Sequence, residues 1–332
     1  MKLHHAPILA LCLTASCDKA KDLAEQATSN VKERITEAAA QGGDAQADPE
    51  LQKLVDLTDE GVVFRKDLPF PARIEVITSA SSHQNFRIFE ASAIERKSTM
   101  LIGVMESIDK FERSGDHVRH TQGKSRFIDP AVKDSDGKPK VITDNPLKNL
   151  MAAEIAREFH RRDGEWRADQ AGGFAAAAVA SEIAPFFDLL LQEHGLAPRP
   201  QWFAKRRVKT GEQLVLTGDA LAMLVSGEAT GTLNLKLESL GAVAGHPCGV
   251  FTVTGDYSRQ QFPSFAGGFT DEDVTIQSGK VWLSLIHPLV LKWEIDTIQT
   301  FKTGDKGGPR IQGQGSAKIT ISREWKAMEQ RL

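Results

Sequence analysis

The chain has three cysteines and one tyrosine among its 332 residues, and few long apolar runs. A membrane-spanning helix needs about 20 consecutive apolar residues. The mostly apolar stretch from Ala6 to Ala15 is far shorter, and no second run approaches that length. Positive charge is not in excess, since 41 Lys and Arg face 44 Asp and Glu for a net charge of −3. Nucleic-acid binding, which rests on a basic patch or stripe, is therefore excluded. The short basic clusters Arg161-Arg162 and Lys205-Arg206-Arg207 read as solvated faces of strands or turns.

Catalytic signatures are equally scarce. No G-x-S-x-G elbow, H-E-x-x-H pair or phosphate-cradling G-x-x-x-x-G-K-[ST] loop occurs. His117 and His120 look like a metal pair, but residues three apart on a strand face opposite sides. Asp134-Ser135-Asp136-Gly137 imitates the start of a calcium loop, yet Lys138-Pro139-Lys140 supplies no carboxylate and no glutamate closes it. A simple turn is the reading there. The sequence implies no metal and no cofactor.

What is present first is an export pattern. Lys2, the apolar stretch, and the small residues Ala15 and Ser16 directly before Cys17 form a charged start, a short apolar core and a cleavage site. Thr14-Ala15-Ser16-Cys17 resembles a lipobox, with Thr14 where a branched apolar residue is usual. The resemblance implies a bacterial lipoprotein acylated (palmitate among the chains) at Cys17, exported and anchored to a membrane with its body in the periplasm or outside the cell. An ordinary signal peptide cut nearby and a plain terminus are the competing readings. Cys12 leaves with such a signal and Cys17 carries lipid, so Cys248 is left without an internal disulfide partner. It reads as a small buried hydrophobe. Several acyl chains on one cysteine hold far more firmly than the marginal grip of one.

The expected division is a signal peptide over 1–16, a tether over 17–50 and a single body over 51–328, with a possible subdivision at 61–168 and 169–328. In the tether, Leu23, Ala27, Val31, Ile35 and Ala38 recur at helical steps before a Gly-, Asp- and Pro-containing break ends them. From Val62 the period becomes two. Ile74 and Val76, Phe86 and Ile88, and Ile102 and Val104 mark strands with one face on a core. Leu68-Pro69-Phe70-Pro71 cannot lie inside a central strand, and Asp129 to Asn149 reads as a polar excursion or loose hairpin. Asp163-Gly164 predicts a tight hairpin turn. Phe174 to His194 predicts the one substantial helix, kinked at Pro185 and buried, and Asp219 to Val225 a shorter one capped by Thr217 or Asp219.

The C-terminal third alternates most clearly, through Leu233, Leu235 and Leu237, then Phe251 and Val253, then Val281, Leu283 and Leu285, then Leu289, Leu291, Trp293 and Ile295, then Ile319 and Ile321. Short Gly-rich turns between these runs imply an antiparallel meander. His287 shares parity with Leu285 and Trp293, so it points at the apolar face if the strand is continuous, whereas a turn at His287-Pro288 resets the parity. Tyr257, Phe262, Phe265 and Phe269 with Gly267-Gly268 read as a mobile lid or a long loop.

The fold class expected is α+β and mostly antiparallel β: a long curved, half-barrel-like meander sheet with one buried helix and an N-terminal helical tether. A lipidated cysteine, a helical spacer and long antiparallel strands resemble the exported lipoproteins with half-barrel sheets, among them periplasmic lipoprotein carriers and mycobacterial lipid-binding lipoproteins. Arg206 to Gln213, Leu233 to Glu238 and Gly245 to Phe251 are similar to predicted bacterial lipoproteins of unknown function, a likeness covering roughly residues 157 to 325. The function expected is non-enzymatic binding of an apolar or lipid-like ligand on a face built from Phe186, Phe187, Leu283, Leu285, His287, Leu291 and Trp293. A structural or assembly lipoprotein touching envelope proteins is the alternative. A hydrolase is the third reading, revived by a cavity where His287 or His117 meets a carboxylate or serine.

Overall fold

The computed structural model describes residues 46–69, 71–90, 95–123, 126–133, 135, 139–141, 155–162, 165–168, 201–203, 206–225, 229–261, 269–304 and 311–328. The lipobox and tether, the predicted helix Phe174 to His194 with Phe186 and Phe187, and the segment holding Phe262 and Phe265 lie outside them. A four-residue helix α1 (Pro49–Gln52) opens the described part, with the Asp48 carboxylate accepting the Glu50 amide at 2.8 Å. Sixteen strands follow among the described residues. They are β1 (Leu57–Thr58), β2 (Gly61–Val63), β3 (Arg73–Glu90), β4 (Glu95–Ser114), β5 (His117–Gln122), β6 (Arg126–Lys133), β7 (Pro139–Val141) and β8 (Ile155–Arg162). Then come β9 (Glu165–Ala168), β10 (Arg207–Val208), β11 (Gln213–Thr217), β12 (Ala229–Val243), β13 (His246–Gln261), β14 (Phe269–Ser284), β15 (Val290–Gly304) and β16 (Ile311–Ala327).

These strands make one open antiparallel sheet of thirteen strands and a small sheet in the order β1-β2-β10. The large sheet runs β11-β12-β13-β14-β15-β16-β3-β4-β5-β8-β9, with the hairpin β6-β7 attached beside β4. It is a half-barrel, as the alternation predicts. The runs at Ile74 and Phe86 belong to one continuous strand of 18 residues. The polar excursion contains the short hairpin β6-β7, whose pairs include Ile128↔Val141 and Asp129↔Lys140. Strands β8 and β9 pair across Asp163-Gly164, with Arg162 opposite Glu165. The predicted helix at Asp219 is a 3-10 helix, Gly218–Met223, and the Thr217 side chain makes no cap hydrogen bond. Gly218, at a φ of 54°, starts it tightly.

Burial follows the pleat. In β12, Leu233, Leu235 and Leu237 are buried while Asn234, Lys236 and Glu238 are exposed. The same alternation in β11 buries Leu214 and Leu216 and exposes Val215. On the inner face these leucines meet Phe251, Val253, Ile276, Val281 and Leu283, and the small sheet caps them with Val62, Phe64 and Val208 beside Trp202 and Phe203. Phe64 stacks on Phe203 with centroids 4.1 Å apart. Gly249 makes room for this cap, because a Cβ there would stand 2.6 Å from the Phe64 ring. A second cluster gathers Val243, Cys248, Val250, Trp282, Leu289 and Leu291, with Trp325 against it. Burial pushes the Cys248 thiol up, so it stays protonated and acts as a hydrophobe.

Overpacking a filled core costs about 1–3 kcal/mol. Gly249→Val is expected to lose stability in that range by urea unfolding, and the same change made in Phe64→Ala is expected to cost less. Wild-type stability in Gly249→Val would disprove the contact. Leu237, fully buried between the two sheets, is expected to cost about 2–5 kcal/mol when changed to Ala, read in the same assay.

Candidate ligand-binding face

Beyond the capped core the inner face continues across β15, β16 and β3. Register places Trp293 opposite Ile321, Ile295 opposite Ile319, and Thr297 opposite Ala317. On the other edge of β16, Ile321 faces Ala80, Ile319 faces Ser82 and Gly315 faces Phe86. Trp293, Ile295, Ile319, Ile321 and Phe86 are half-buried, unlike the fully buried leucines of β12. Phe86 meets Phe301 edge-on at 5.5 Å, and the Phe301 ring lies over Gly313 on the neighbouring strand. An aromatic ring laid across a strand glycine covers backbone that lacks a side chain of its own.

Several polar groups on this face are paired with one another, while the buried Ser82 hydroxyl has no partner among the described residues. The Gln299 amide donates to Thr297 Oγ1 at 3.0 Å, and the Thr297 hydroxyl donates to the Ala317 carbonyl at 3.1 Å. Arg259 and Glu272 pair at 2.8 Å with little exposure, and the guanidinium sits 5.7 Å from the Tyr257 ring centre. Burial raises the Tyr257 phenol, with the Glu272 charge adding to it against the Arg259 charge. Polar atoms that are already paired leave the apolar side chains beside them as the main contact for anything laid there.

The sequence-predicted ligand residues separate. Leu283, Leu285 and Trp293 join the capped core, Leu283 and Leu285 fully buried in it and Trp293 half-buried against it. Leu291 belongs to the second cluster. A register shift between Trp282 and Leu283 separates Leu291 from the parity that the sequence assigns it. His287 occupies the turn between β14 and β15, where Leu289 N–H donates to the His287 carbonyl at 2.7 Å. That turn resets the parity. Phe86, Phe301 and Gly313 carry no local sign of their role, because their meeting depends on the non-local pairing of β16 with β3.

The turn holds a closed polar knot. Ser284 Oγ accepts the amides of Ile286 at 3.2 Å and His287 at 3.1 Å, and lies 2.7 Å from His246 Nε2. With both oxygen lone pairs taken, the Ser284 hydrogen goes to His246, which is therefore neutral with its proton on Nδ1. Ser284 is fully buried, so this serine–histidine contact locks a corner. Burial lowers the His246 pKa to about 3, with the neighbouring His287 adding to it. Burial likewise lowers His287 to about 4, with Arg65 contributing.

His117 and His120 do lie on opposite sides of β5. His117 is half-exposed with Nε2 3.0 Å from Glu158 Oε2. His120 is buried, stacks on Phe111 at 4.5 Å and lies 2.8 Å from Asp109 Oδ1, while Ser107 donates to the same carboxylate at 3.3 Å. Nothing in the sequence pairs residues 109 and 120; the β4-β5 hairpin does, through the pair Phe111↔His120 beside them. Here the carboxylate stands between serine and histidine, so the histidine is not placed to take the serine's proton. No helix among the described residues is long and apolar enough to cross a membrane.

No family model matches the chain, and no curated protein matches it. Among solved structures it is similar to one described as lipid-protein interactions in lipovitellin, at 8% identity and a TM-score of 0.33 over 79% of this chain. The chain spans only 26% of that protein's length. It is also similar to the toluene transporter TodX of Pseudomonas putida, at 8% identity and a TM-score of 0.14, over 80% of this chain and 69% of that one.

The buried corner makes stability pH-dependent. Both histidines titrate lower in the fold than the ordinary 6.5 of an unfolded chain, so below that value the unfolded state binds more protons. Stability is therefore expected to fall as pH drops from about 6.5 towards about 4, by roughly 1 kcal/mol per pH unit for each histidine. Urea unfolding at several pH values checks this, and His246→Gln is expected to flatten the slope. An unchanged slope in that variant would refute the assignment.

Proposed function

We propose that this chain is an exported bacterial lipoprotein, acylated at Cys17, whose half-barrel body binds an apolar or lipid-like molecule without turning it over. The observation that carries the reading is the half-buried apolar stripe of Trp293, Ile295, Ile319, Ile321 and Phe86 beside the fully buried core residues of β12 to β14. Covering apolar surface gains about 25 cal/mol per Å², so a partly open stripe on the sheet's inner face is where a greasy ligand gains most. The assembly alternative calls for a contiguous exposed apolar patch. Among the described residues the exposed large apolar side chains Leu54, Phe89, Ile108, Val215 and Ile298 are instead scattered, four of them over four strands and Leu54 just after α1.

Native mass spectrometry of the purified protein after exposure to lipid extract tests the reading. Retained apolar ligand is expected, with loss in Ile319→Asp and quenching or shift of Trp293 fluorescence on rebinding. Repeated recovery of ligand-free protein would overturn it. Anchoring has its own test, in which Cys17→Ala is expected to abolish acyl labelling and release the protein from membranes. Unchanged membrane association would show that the export pattern has another meaning.

A further inference from the structure

The strands that end the two sheets are not alike. Natural sheets blunt such edges with charge, proline, bulges or very short strands, which discourage pairing with another chain. Here β9 carries Glu165 and Arg167, β7 carries Pro139 and Lys140, β10 carries Arg207, and β1 is two residues long. β11 has none of these devices. Gln213-Leu214-Val215-Leu216-Thr217 pairs with β12 without a bulge and holds no charge and no proline. Val215 is 60% exposed, more than Leu54, Phe89, Ile108 or Ile298. The ladder fixes which backbone groups face outward. Leu237 N–H donates to the Glu212 carbonyl at 3.1 Å, and Gly211 N–H to the Leu237 carbonyl at 2.7 Å. Leu237 therefore turns its backbone to β11, and by alternation so do Leu235 and Leu233, the partners of Leu214 and Leu216. The N–H and C=O of Gln213 and Val215 and the N–H of Thr217 point away from β12, with no backbone partner among the described residues. Both flanks of the strand turn inward, since Val208 before it and Leu221 and Met223 after it are buried in the core.

We propose that β11 is a dimer interface, at which two copies of this chain pair antiparallel about a two-fold axis at Val215. The strand is self-complementary in that register. Val215 meets Val215 of the second copy, and the two exchange both N–H···O=C bonds. Gln213 stands opposite Thr217 on either side, where the Thr217 N–H donates to the Gln213 carbonyl. On the outer face the two exposed valines cover each other, and the Gln213 amide lies beside the Thr217 hydroxyl. On the inner face Leu214 of one copy comes beside Leu216 of the other and continues the leucine row of β12. No like charges meet anywhere along the five residues. A foreign strand would gain the backbone bonds alone, whereas a second copy also brings matched side chains to both faces. The axis is normal to the sheet, so both inner faces lie on one side and the two half-barrels become one continuous sheet. A five-residue ladder buries less than a permanent dimer does, so the association is reversible with concentration. It stands or falls independently of the lipid reading.

Sedimentation equilibrium of the full chain from about 1 μM to about 1 mM tests this, and a monomer–dimer equilibrium is expected within that range. Val215→Pro removes only an outward N–H and leaves the ladder to β12 whole. It is expected to give a monomer whose melting temperature, read where the wild type is also monomeric, is unchanged. Val215→Lys sets two like charges at the axis and is expected to weaken the dimer by about tenfold or more, an effect that salt relieves in part. The lysine variant demands no backbone change, so it decides the matter if the proline variant fails to fold. A short bismaleimide is expected to link Val215→Cys to itself but not Lys318→Cys, which is exposed on the same face far from the axis. A monomer throughout the range, a dimer that the Val215 variants leave unchanged, or equal cross-linking of the two cysteine variants would overturn the proposal.

Discussion

The pairing of β16 with β3 is the contact on which the rest depends. All seventeen residues of β16 find partners along β3, from Ile311↔Glu90 to Ala327↔Ile74, so the last strand of the chain abuts an early one. Without it the C-terminal meander and the N-terminal strands are two sheets with four bare edges. With it they are one half-barrel with an unbroken inner face. Its contacts are far apart in sequence, and closing so large a loop before any reward is the slow, entropically costly part of forming such a sheet. The length of the ladder offsets that cost, because each added pair extends a register already set. Period-two side chains then do the rest, since a slip by one residue would send Ile319 and Ile321 to solvent and Lys318 and Thr320 to the inner face.

This explains what was legible in the sequence and what was not. Strand existence and facing are local properties, and the alternation at Leu233 to Leu237 or Val281 to Leu285 states them outright. Chain breaks were legible where a residue type forces them, as at His287-Pro288. Two features escaped local reading. One is parity across a bulge: the shift at Trp282/Leu283 parts Leu291 from Leu283, and no spacing rule reveals an irregular pair. The other is adjacency between distant strands, which brings Phe86 to Phe301 and Asp109 to His120. The short helix at Gly218 failed for a third reason. Thr217 is of the capping type, but its side chain makes no cap hydrogen bond to seed an α-helical turn.

The buried polar groups share one logic. Thr297 and Gln299, Arg259 and Glu272, Ser284 and His246, and Asp109 and His120 are each paired inside the protein. An apolar interior tolerates such groups only when their hydrogen bonds are made within it. The pair of Ser284 and His246 makes that tolerance conditional on protonation, because burial lowers the His246 pKa, whereas the amide and hydroxyl pairs are indifferent to pH. Acid sensitivity is thereby concentrated at the β14-β15 corner and spared on the inner face that borders the apolar stripe.

The two faces of the half-barrel therefore solve opposite problems with the same backbone. On the inner face, Thr297, Gln299, Arg259 and Glu272 are paired internally, so that apolar contact dominates around them. On the outer face around Asp256 and Asp273, pairing does the reverse: hydroxyl hydrogens are absorbed by carboxylates, and what remains outward is acceptor and charge. The geometry that permits both is the pleat, which sets Tyr257 and Val274 inward and their immediate neighbours outward. Gly255 allows the strands to stay close there. At a φ of 132° it holds a backbone conformation that only glycine adopts freely, and a Cβ would collide with the Thr232 carbonyl across the ladder. A side chain at that position would part β12 from β13, disturbing the outer face and opening the inner core at Leu233 together. The two surfaces are thus chemically independent but mechanically joined through Gly255 and Gly231, where a Cβ would meet the Asp256 carbonyl.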